Sequence, residues 1–383
     1  MTSVPQLPRA LALGIGAAAI SLSASGCSKP EANNADTTAM IRPADSTAMA
    51  ASNSGNAPAP AMAQPDPQMQ AVLDQLAALG GKPITTLSAP EARKQPSPAD
   101  AVKAVLTKQG KSAAPDPAVA TVDRTIPGPG GPLPVRIYTP KAGTGPFPVI
   151  VYYHGGGWVI GSITSYDAGA RALSKLANAV VVSVGYRLAP EHKFPAAHQD
   201  AFAAYQWALK NAASIHGNPN MVATAGESAG GNLAVATAMT ARDSSVKLPV
   251  YVVAVYPVAG TDTNTVSYRE NAMAKPLNKA MMVWFFDKYA NGPTDWKDPR
   301  LDLVHANLKG LPPTTVITDQ IDPLRSEGEM LAQNLKNAGV NVRYQNYNGV
   351  THEFFGMGSV VDKAKDAEQY AADGLKSAFG GTR

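Results

Sequence analysis

The chain has 383 residues, of which 45% are hydrophobic and 16% charged, which is enough apolar material for one large core or two modest ones. Its formal net charge of +4 comes from basic residues that form no cluster, which argues against a nucleic-acid-binding surface. The single cysteine, Cys27, excludes an intramolecular disulfide framework and a cysteine-based structural zinc site.

Residues 1–26 have the features of an export signal, with a short apolar run at 10–22 that ends in small residues. That run is shorter than the roughly 20 residues that a transmembrane helix needs. Ser25, Gly26 and Cys27 then resemble the cleavage box of bacterial lipoproteins. The resemblance implies a lipid on Cys27 and an exported protein anchored in the cell envelope, on its periplasmic or outer-membrane side. Ordinary signal cleavage, which would release a soluble periplasmic or secreted protein, is the alternative.

Residues 27–67 are rich in Ala, Asn, Ser, Thr and Pro and show neither helical nor strand periodicity, which predicts a disordered tether. Residues 68–118 are predicted to form N-terminal cap helices. In the first, apolar residues recur at helical spacing over 68–79 and two glycines follow. The second spans 97–109, with Ser97 as its N-cap. Both helices precede the predicted sheet and are expected to cover the active site.

Residues 119–383 are predicted to form a catalytic domain in which strand and helix patterns alternate. Several strand segments are continuous Val and Ile runs, which are typical of strands buried on both faces. The predicted strands span 120–126, 133–138, 149–153, 179–184, 221–225, 251–256, 314–318 and 342–347. The predicted helices between and after them span 167–178, 196–211, 229–242, 326–338 and 360–379. This order predicts an α/β fold with a mostly parallel eight-stranded sheet flanked by helices and antiparallel only in its early pairs.

The stretch from 261 to 300 interrupts this alternation and is longer than a simple connection. It contains an aromatic-rich helix at 281–289 and is predicted to be a cap insertion that joins the N-terminal helices over the active site. The sequence leaves two roles open for Trp284, Phe285 and Phe286, which are the wall of an acyl pocket and ordinary core packing.

A predicted strand runs into Gly-Glu-Ser-Ala-Gly at 226–230, and a predicted helix runs out of it. In this context the pattern indicates a nucleophile elbow, in which a strained turn lifts the Ser228 hydroxyl above the sheet. Gly226 and Gly230 keep the neighbouring backbone from colliding. The helix that starts after Ser228 points its free amide groups toward any oxyanion formed there. Ser228 is therefore the candidate nucleophile.

Another predicted strand ends in His-Gly-Gly-Gly-Trp at 154–158. Gly155, Gly156 and Gly157 allow the backbone to approach a substrate closely and to direct amide hydrogens into the site, as an oxyanion hole requires. His154 precedes the nucleophile in the chain and is expected to hold the glycine loop by hydrogen bonding rather than to act as a base.

A serine hydroxyl needs a base, and the base needs an orienting carboxylate. The order nucleophile, acid, histidine that accompanies this elbow leaves His305 and His352, of which His352 is favoured because it directly follows the last predicted strand. Asp319 and Asp322 both follow the preceding strand. Asp322 is preferred because the residues after it suit a rigid turn, but spacing alone leaves both open.

In combination these motifs resemble the hormone-sensitive-lipase-like bacterial esterases of the α/β-hydrolase superfamily. The resemblance covers about residues 68 to 380. The matching segments are 154–158, 186–192, 194–197, 226–231, 267–271, 298–300, 322–325 and 352–355. Two positions depart from the family pattern: Glu227 stands where many members have Asp, and Ser326 stands where an acidic residue is common.

The resemblance implies an α/β-hydrolase fold with a helical cap and assigns a role to each site residue. Ser228 is the nucleophile, His352 the general base and then acid, and Asp322 the group that orients His352. An oxyanion hole is implied for the amides of Gly156, Gly157 and Ala229, with Gly155 shaping the loop. The segment at 186–192 is expected to support that loop without any chemical role.

The predicted function is that of a serine carboxylesterase, a carboxylic ester hydrolase that cleaves short-to-medium acyl esters through an acyl-enzyme. The partner is a small-molecule ester, and no nucleic acid is expected. No metal or organic cofactor is expected, because the histidines are scattered without ligand spacing. The alternatives are a non-catalytic ligand-binding protein on the same scaffold and a related acyl hydrolase, such as a deacetylase or lactonase. The oligomeric state stays open.

Overall fold

An eight-stranded β-sheet runs through residues 62–380, the part of the chain that the computed structural model describes. Its strands are β1 (Val119–Gly128), β2 (Gly131–Pro140), β3 (Phe147–Tyr153), β4 (Val180–Val184), β5 (Gly217–Glu227), β6 (Val252–Val255), β7 (Thr314–Ile321) and β8 (Val342–Thr351). Their spatial order is β1-β2-β4-β3-β5-β6-β7-β8. Strand β2 pairs antiparallel with β1 and β4, and every other neighbouring pair is parallel.

The predicted export signal at 1–26 and the candidate lipidation site Cys27 lie outside the described residues. So do residues 28–61 of the predicted tether and the final three residues of the chain, 381–383.

Helices cover both faces of the sheet, as the alternating sequence pattern predicts. They are α1 (Pro67–Ala78), α2 (Ala89–Ala92), α3 (Pro98–Lys108), α4 (Asp167–Ala177), α5 (Ala196–Asn211), α6 (Ala229–Asp243), α7 (Val266–Glu270), α8 (Lys279–Tyr289), α9 (Arg325–Asn337) and α10 (Asp362–Ala378). Helices α5, α6 and α9 pack into the core on one face, and α4 and α10 pack into the core on the other. The predicted α/β-hydrolase fold is confirmed.

The central strands are buried because both faces of the sheet are covered. Every residue of β4 is buried, and its Val-rich sequence suits this position because β-branched side chains pack well on a pleated surface. The six mutually parallel strands, β3 to β8, bring their carboxyl ends to one edge of the sheet. Loops that leave this edge carry the candidate catalytic residues, as expected for an open α/β sheet.

The N-terminal helices pack on one another and on the main domain. Ser97 caps α3 by accepting a hydrogen bond from the Asp100 amide, and the Asp100 carboxylate accepts one from the Ser97 amide in return. The amide of Asp66, which precedes α1, donates to Gly349 O at 2.7 Å and ties this helix to the end of β8. The short helical turn at Ile84–Thr86 contacts α8, so the two predicted cap segments meet.

Two short helices within the described residues, α2 and α7, are absent from the sequence-based prediction. Their lengths of 4 and 5 residues are too small to display a helical period. None of the helices in residues 62–380 has the length and apolar character needed to cross a bilayer.

Candidate active site

Ser228 lies at the turn between β5 and α6, with φ 56° and ψ −119°, a conformation that a side-chain-bearing residue rarely adopts. The flanking glycines make this turn possible. A Cβ on Gly226 would lie 2.2 Å from Gly230 O, and one on Gly230 would lie 1.9 Å from Tyr153 O. Both obstacles are backbone atoms, so neither can move aside. The turn therefore has the geometry expected of a nucleophile elbow.

His352 and Asp322 meet Ser228 at the carboxyl edge of the sheet. The Nε2 atom of His352 is 2.9 Å from Ser228 Oγ, and its Nδ1 atom is 2.8 Å from Asp322 Oδ2. His352 belongs to the loop after β8, and Asp322 to the loop after β7. All three side chains are buried, with Ser228 4% exposed. The structure thus brings the three predicted residues into one hydrogen-bonded chain.

The Asp322 carboxylate is held on its other side. Its Oδ1 atom accepts a hydrogen bond from Leu324 N at 2.9 Å, and Asn271 Nδ2 donates to the Asp322 carbonyl at 3.1 Å. Ser326, one of the two departures from the family pattern, exchanges hydrogen bonds with Ser267: each amide donates to the other hydroxyl. These contacts hold the loop after β7 and orient the carboxylate toward the imidazole.

Charge and burial act in opposite directions on His352. Burial disfavours the imidazolium, but the charge and hydrogen bond of Asp322 outweigh it, so the pKa of His352 is raised. This is the electrostatic arrangement that a general base needs, because the imidazolium formed during proton transfer is stabilised.

The glycine loop after β3 presents backbone amides beside Ser228. Gly156 and Gly157 have φ values of +99° and +59°. A Cβ on Gly156 would lie 2.3 Å from Ile160 O. Within residues 62–380, no acceptor takes a hydrogen bond from the amides of Gly156, Gly157 or Ala229. Three free donors next to a nucleophile can bind a developing oxyanion.

His154, Tyr186 and Arg93 hold the glycine loop from behind. His154 Nδ1 is 2.8 Å from Gly155 O, and the Tyr186 hydroxyl donates to His154 O at 2.8 Å. Arg93 reaches over from the N-terminal helices and donates from Nε to Val159 O at 2.8 Å. Burial lowers the pKa of His154 to about 4, so its ring is neutral at pH 7. Gly155 shapes the loop, since a Cβ there would lie 2.5 Å from the hydroxyl of Tyr166.

The other histidines lie away from Ser228. The ring of His198 is buried between Tyr289 Oη and Asn232 Oδ1, and burial lowers its pKa to about 4. The side chain of His305 is 76% exposed and pairs with Asp302 at 2.8 Å. His305, the alternative base from chain order, is therefore a surface residue.

Asp319, Asp322 and His352 offer potential ligand atoms that lie within 4.8 Å of one another. Both ring nitrogens of His352 already face Asp322 and Ser228, and a metal would displace one of these contacts. The donor set therefore fits the hydrogen-bonded chain of Asp322, His352 and Ser228 better than a metal centre.

Glu227 is buried directly behind Ser228. Its carboxyl accepts hydrogen bonds from the hydroxyls of Tyr152 and Tyr256. Burial raises the pKa of Glu227 to about 8, although the two hydroxyls act in the opposite direction. A second acid, the half-buried Glu353, follows His352, and Tyr166 Oη donates to it at 2.6 Å. Burial also raises the pKa of Glu353.

Sequence reasoning missed this buried network and gave Glu227 only as a departure from the family pattern. One signal in the sequence could have indicated this network: an acid stands inside a motif that is otherwise made of small residues. If such a carboxyl is buried, it requires hydrogen-bond donors from elsewhere in the chain. The role of Arg93 in holding the glycine loop carried no such signal, since a lone arginine in a polar segment is ordinary.

A cleft of about 1360 Å³ opens above Ser228. Residues from the N-terminal helices, the 275–285 segment and the loop after His352 line it. Phe285 lies on its wall beside Gly157, whereas Phe286 packs against Trp158 and Trp296 inside the core. Trp284 packs edge-on against Phe285 and is absent from the cleft lining. Of the three aromatic residues, only Phe285 therefore lines the cleft.

We expect Gly156→Ala to lower kcat by about 10²- to 10³-fold with little change in KM, because the methyl group would push the loop amides away from the oxyanion position. Steady-state kinetics on a short-chain ester measure this effect. Gly292→Ala is the matched control, since a Cβ on Gly292 meets nothing within 4 Å. Wild-type kcat in the Gly156 variant would contradict the prediction.

The chain matches a known protein family. A model described as the alpha/beta hydrolase fold matches residues 150–356, which is more than half of the chain, so the protein belongs to this family. This confirms the family predicted from the motifs.

Individual relatives are similar over most of the catalytic domain. A carboxylesterase from Mycobacterium tuberculosis is 39% identical over 252 residues, covering 64% of this chain and 79% of the relative. An ethyl acetate hydrolase from Pseudomonas putida is 32% identical over 302 residues, covering 77% of this chain and 92% of the relative. Among solved structures, an esterase from Pyrobaculum calidifontis is 39% identical with a TM-score of 0.73, covering 82% of this chain and 99% of the esterase.

Proposed function

We propose that the protein is a serine carboxylesterase that hydrolyses short-to-medium acyl esters, with Ser228 as nucleophile, His352 as general base and Asp322 as the group that orients His352. The observation that carries this proposal is the continuous contact from Asp322 through His352 to Ser228 Oγ, with distances of 2.8 and 2.9 Å. The esterase and carboxylesterase names of the relatives agree with it.

In the acylation half-reaction, Ser228 Oγ attacks the ester carbonyl carbon while its proton passes to His352 Nε2. The carbonyl oxygen becomes an oxyanion that accepts hydrogen bonds from the amides of Gly156, Gly157 and Ala229. Asp322 stabilises the imidazolium through Nδ1. His352 then donates the proton to the alkoxide leaving group, the C–O bond breaks, and the alcohol departs.

In deacylation, water takes the place of the alcohol. His352 removes a proton from this water, which attacks the acyl carbon and forms a second oxyanion in the same amide cradle. Return of the proton to Ser228 Oγ releases the carboxylic acid and regenerates the enzyme. The chemistry needs no group beyond the side chains and amides already described.

Two features of the cleft support an ester of modest size. Phe285 and Gly157 face each other closely, since a Cβ on Gly157 would lie 2.3 Å from the Phe285 ring, so the wall beside the glycine loop is tight. Met281 and Leu277 add apolar surface to the same cleft. An apolar wall near the nucleophile suits the acyl chain. The Pseudomonas putida relative is named for a two-carbon acyl ester.

The experiment is a panel of chromogenic esters of graded acyl length, combined with labelling by a fluorophosphonate probe. We expect the highest kcat/KM among short-to-medium chains and one covalent adduct, on Ser228 in peptide mapping. A protein that neither hydrolyses any ester nor takes the label would be a ligand-binding protein on this scaffold. Label without ester turnover would point to another acyl substrate, such as a lactone.

We further propose that Cys27 carries a lipid that anchors the exported enzyme in the cell envelope. The support is the sequence Ser25-Gly26-Cys27 after the apolar run at 10–22. Metabolic labelling with a radioactive fatty acid in a bacterial host should mark the wild-type chain and not Cys27→Ala. Equal absence of label from both chains, with export retained, would indicate ordinary signal cleavage.

A further inference from the structure

A second carboxyl group lies beside the proposed triad and has no assigned role. Asp319, near the end of β7, is fully buried. Neither of its carboxyl oxygens accepts a hydrogen bond from any donor within residues 62–380. Its carboxyl is within reach of Asp322, and its nearest oxygen lies within 4.8 Å of potential ligand atoms of Asp322 and His352.

An ionised carboxylate in this position would be unstable. Charges are costly to bury without a donor or counter-ion, and a second negative charge beside Asp322 adds repulsion. Burial first, and then Asp322, raise the pKa of Asp319 well above its ordinary value. A protonated Asp319 removes both penalties and supplies the one hydrogen-bond donor that two adjacent carboxyl groups require.

We propose that Asp319 is a positioning residue that keeps its proton at neutral pH and donates it in a hydrogen bond to the carboxylate of Asp322. Asp322 then receives three hydrogen bonds, from His352 Nδ1, from Leu324 N and from Asp319. The third bond restrains the carboxylate and withdraws part of its negative charge. This inference rests on the proposed esterase function, because its effect is exerted through His352.

The withdrawn charge sets the sign of the effect on His352. Asp322 raises the pKa of His352, so a donor that neutralises part of that carboxylate lowers the pKa of the imidazole toward its ordinary value. The base is then free of its proton at a lower pH. In the pH profile of kcat/KM, the acidic limb reports this ionisation in the free enzyme.

Other titratable groups face the same region and are left unchanged in the test. They come from the loop after β6, from β8 and the loop after it, and from α9. These groups are Tyr256, Tyr347, Glu353, Arg325 and Glu327. Of these, Arg325 opposes the raised pKa of Asp319 and Glu353 supports it. A shift that depends on the side chain at 319 can therefore be assigned to that position.

Two variants of nearly the same shape separate the possible states of Asp319. Asp319→Asn keeps a neutral donor, and Asp319→Leu keeps the branching but removes the donor. We expect the acidic limb of Asp319→Asn to stay at the wild-type position. The limb of Asp319→Leu should move upward by about half to one pH unit, because Asp322 regains its full charge.

Other outcomes would overturn the proposal. If both variants move the limb downward, Asp319 is ionised in the wild type, since its removal then takes away a negative charge near His352. If neither moves the limb and only thermal stability changes, Asp319 has a structural role alone.

Infrared spectroscopy tests the proton independently of activity. At pH 7 the wild-type spectrum minus that of Asp319→Asn should contain the C=O stretch of one protonated carboxyl. Subtraction removes the bands of other protonated acids such as Glu227. Absence of this difference band would refute the proposal even if the Leu variant fails to fold. A wild type with this band but no ester turnover would contradict the proposed function and leave the proton assignment supported.

Discussion

Ser228→Ala should lower kcat on a chromogenic short-chain ester by about five to six orders of magnitude, because loss of the nucleophile removes the acyl-enzyme route. The residual rate would come from the oxyanion donors and from substrate binding. The change is conservative for the fold, since the hydroxyl is already buried beside His352. KM should therefore change far less than kcat.

Ser214→Ala is the matched control, because this exposed serine uses its hydroxyl only to bond Asn211 O. Its kcat and melting temperature should match those of the wild type. Turnover by the Ser228 variant within tenfold of wild type would exclude Ser228 as the nucleophile. Loss of the melting transition in that variant would instead show a folding defect, and fluorophosphonate mapping of the wild type would then decide the assignment.

Asp322→Asn should lower kcat by about 10⁴-fold with a small change in KM. The amide can donate to His352 Nδ1, which favours the tautomer that carries its proton on Nε2. That nitrogen then cannot accept the proton of Ser228 Oγ. Steady-state kinetics should be measured above the pKa of His352, where the imidazole is neutral. Under this condition the fall in kcat reports the changed tautomer separately from the lost charge of Asp322.

Asp302→Asn provides a control with the same chemistry elsewhere, because Asp302 contacts the exposed His305 at 2.8 Å. This variant should retain wild-type kcat. A drop of less than tenfold in Asp322→Asn would mean that Asp322 does not orient the base. A large drop in Asp319→Asn alone would transfer that role to Asp319, the alternative acid that spacing left open.

The fold could be predicted because its signals are local. The Val-rich run of β4 displays burial on both faces, and the Gly-Glu-Ser-Ala-Gly turn requires a strand before it and a helix after it. The position of His352 after the last strand followed from the same logic. Each inference used a few neighbouring residues and one rule about where strands end.

Contacts between distant segments could not be predicted in the same way. Glu227 accepts from Tyr152 and Tyr256, which are 75 and 29 residues away along the chain. The residue patterns of β3 and of the segment after β6 do not indicate that these two tyrosine hydroxyls will meet at one buried carboxyl. Spacing alone left both Asp319 and Asp322 open for a related reason, although the preferred residue, Asp322, is the one that contacts His352. The choice depends on how the backbone turns after β7, and a separation of three residues does not define that turn.

Glu227 carries a consequence for how the enzyme tolerates alkali. Its pKa of about 8 in the folded chain lies above the ordinary value of 4.5, so between these pH values the native state holds a proton that the unfolded chain has released. Each pH unit of alkalinity in that interval then favours unfolding by as much as about 1.4 kcal/mol from this one group. Glu368, whose pKa burial raises to about 7, adds to the same trend. Mildly acidic solutions should thus preserve the folded enzyme longest, while the base His352 works best at higher pH, so that durability and turnover favour opposite ends of the neutral range.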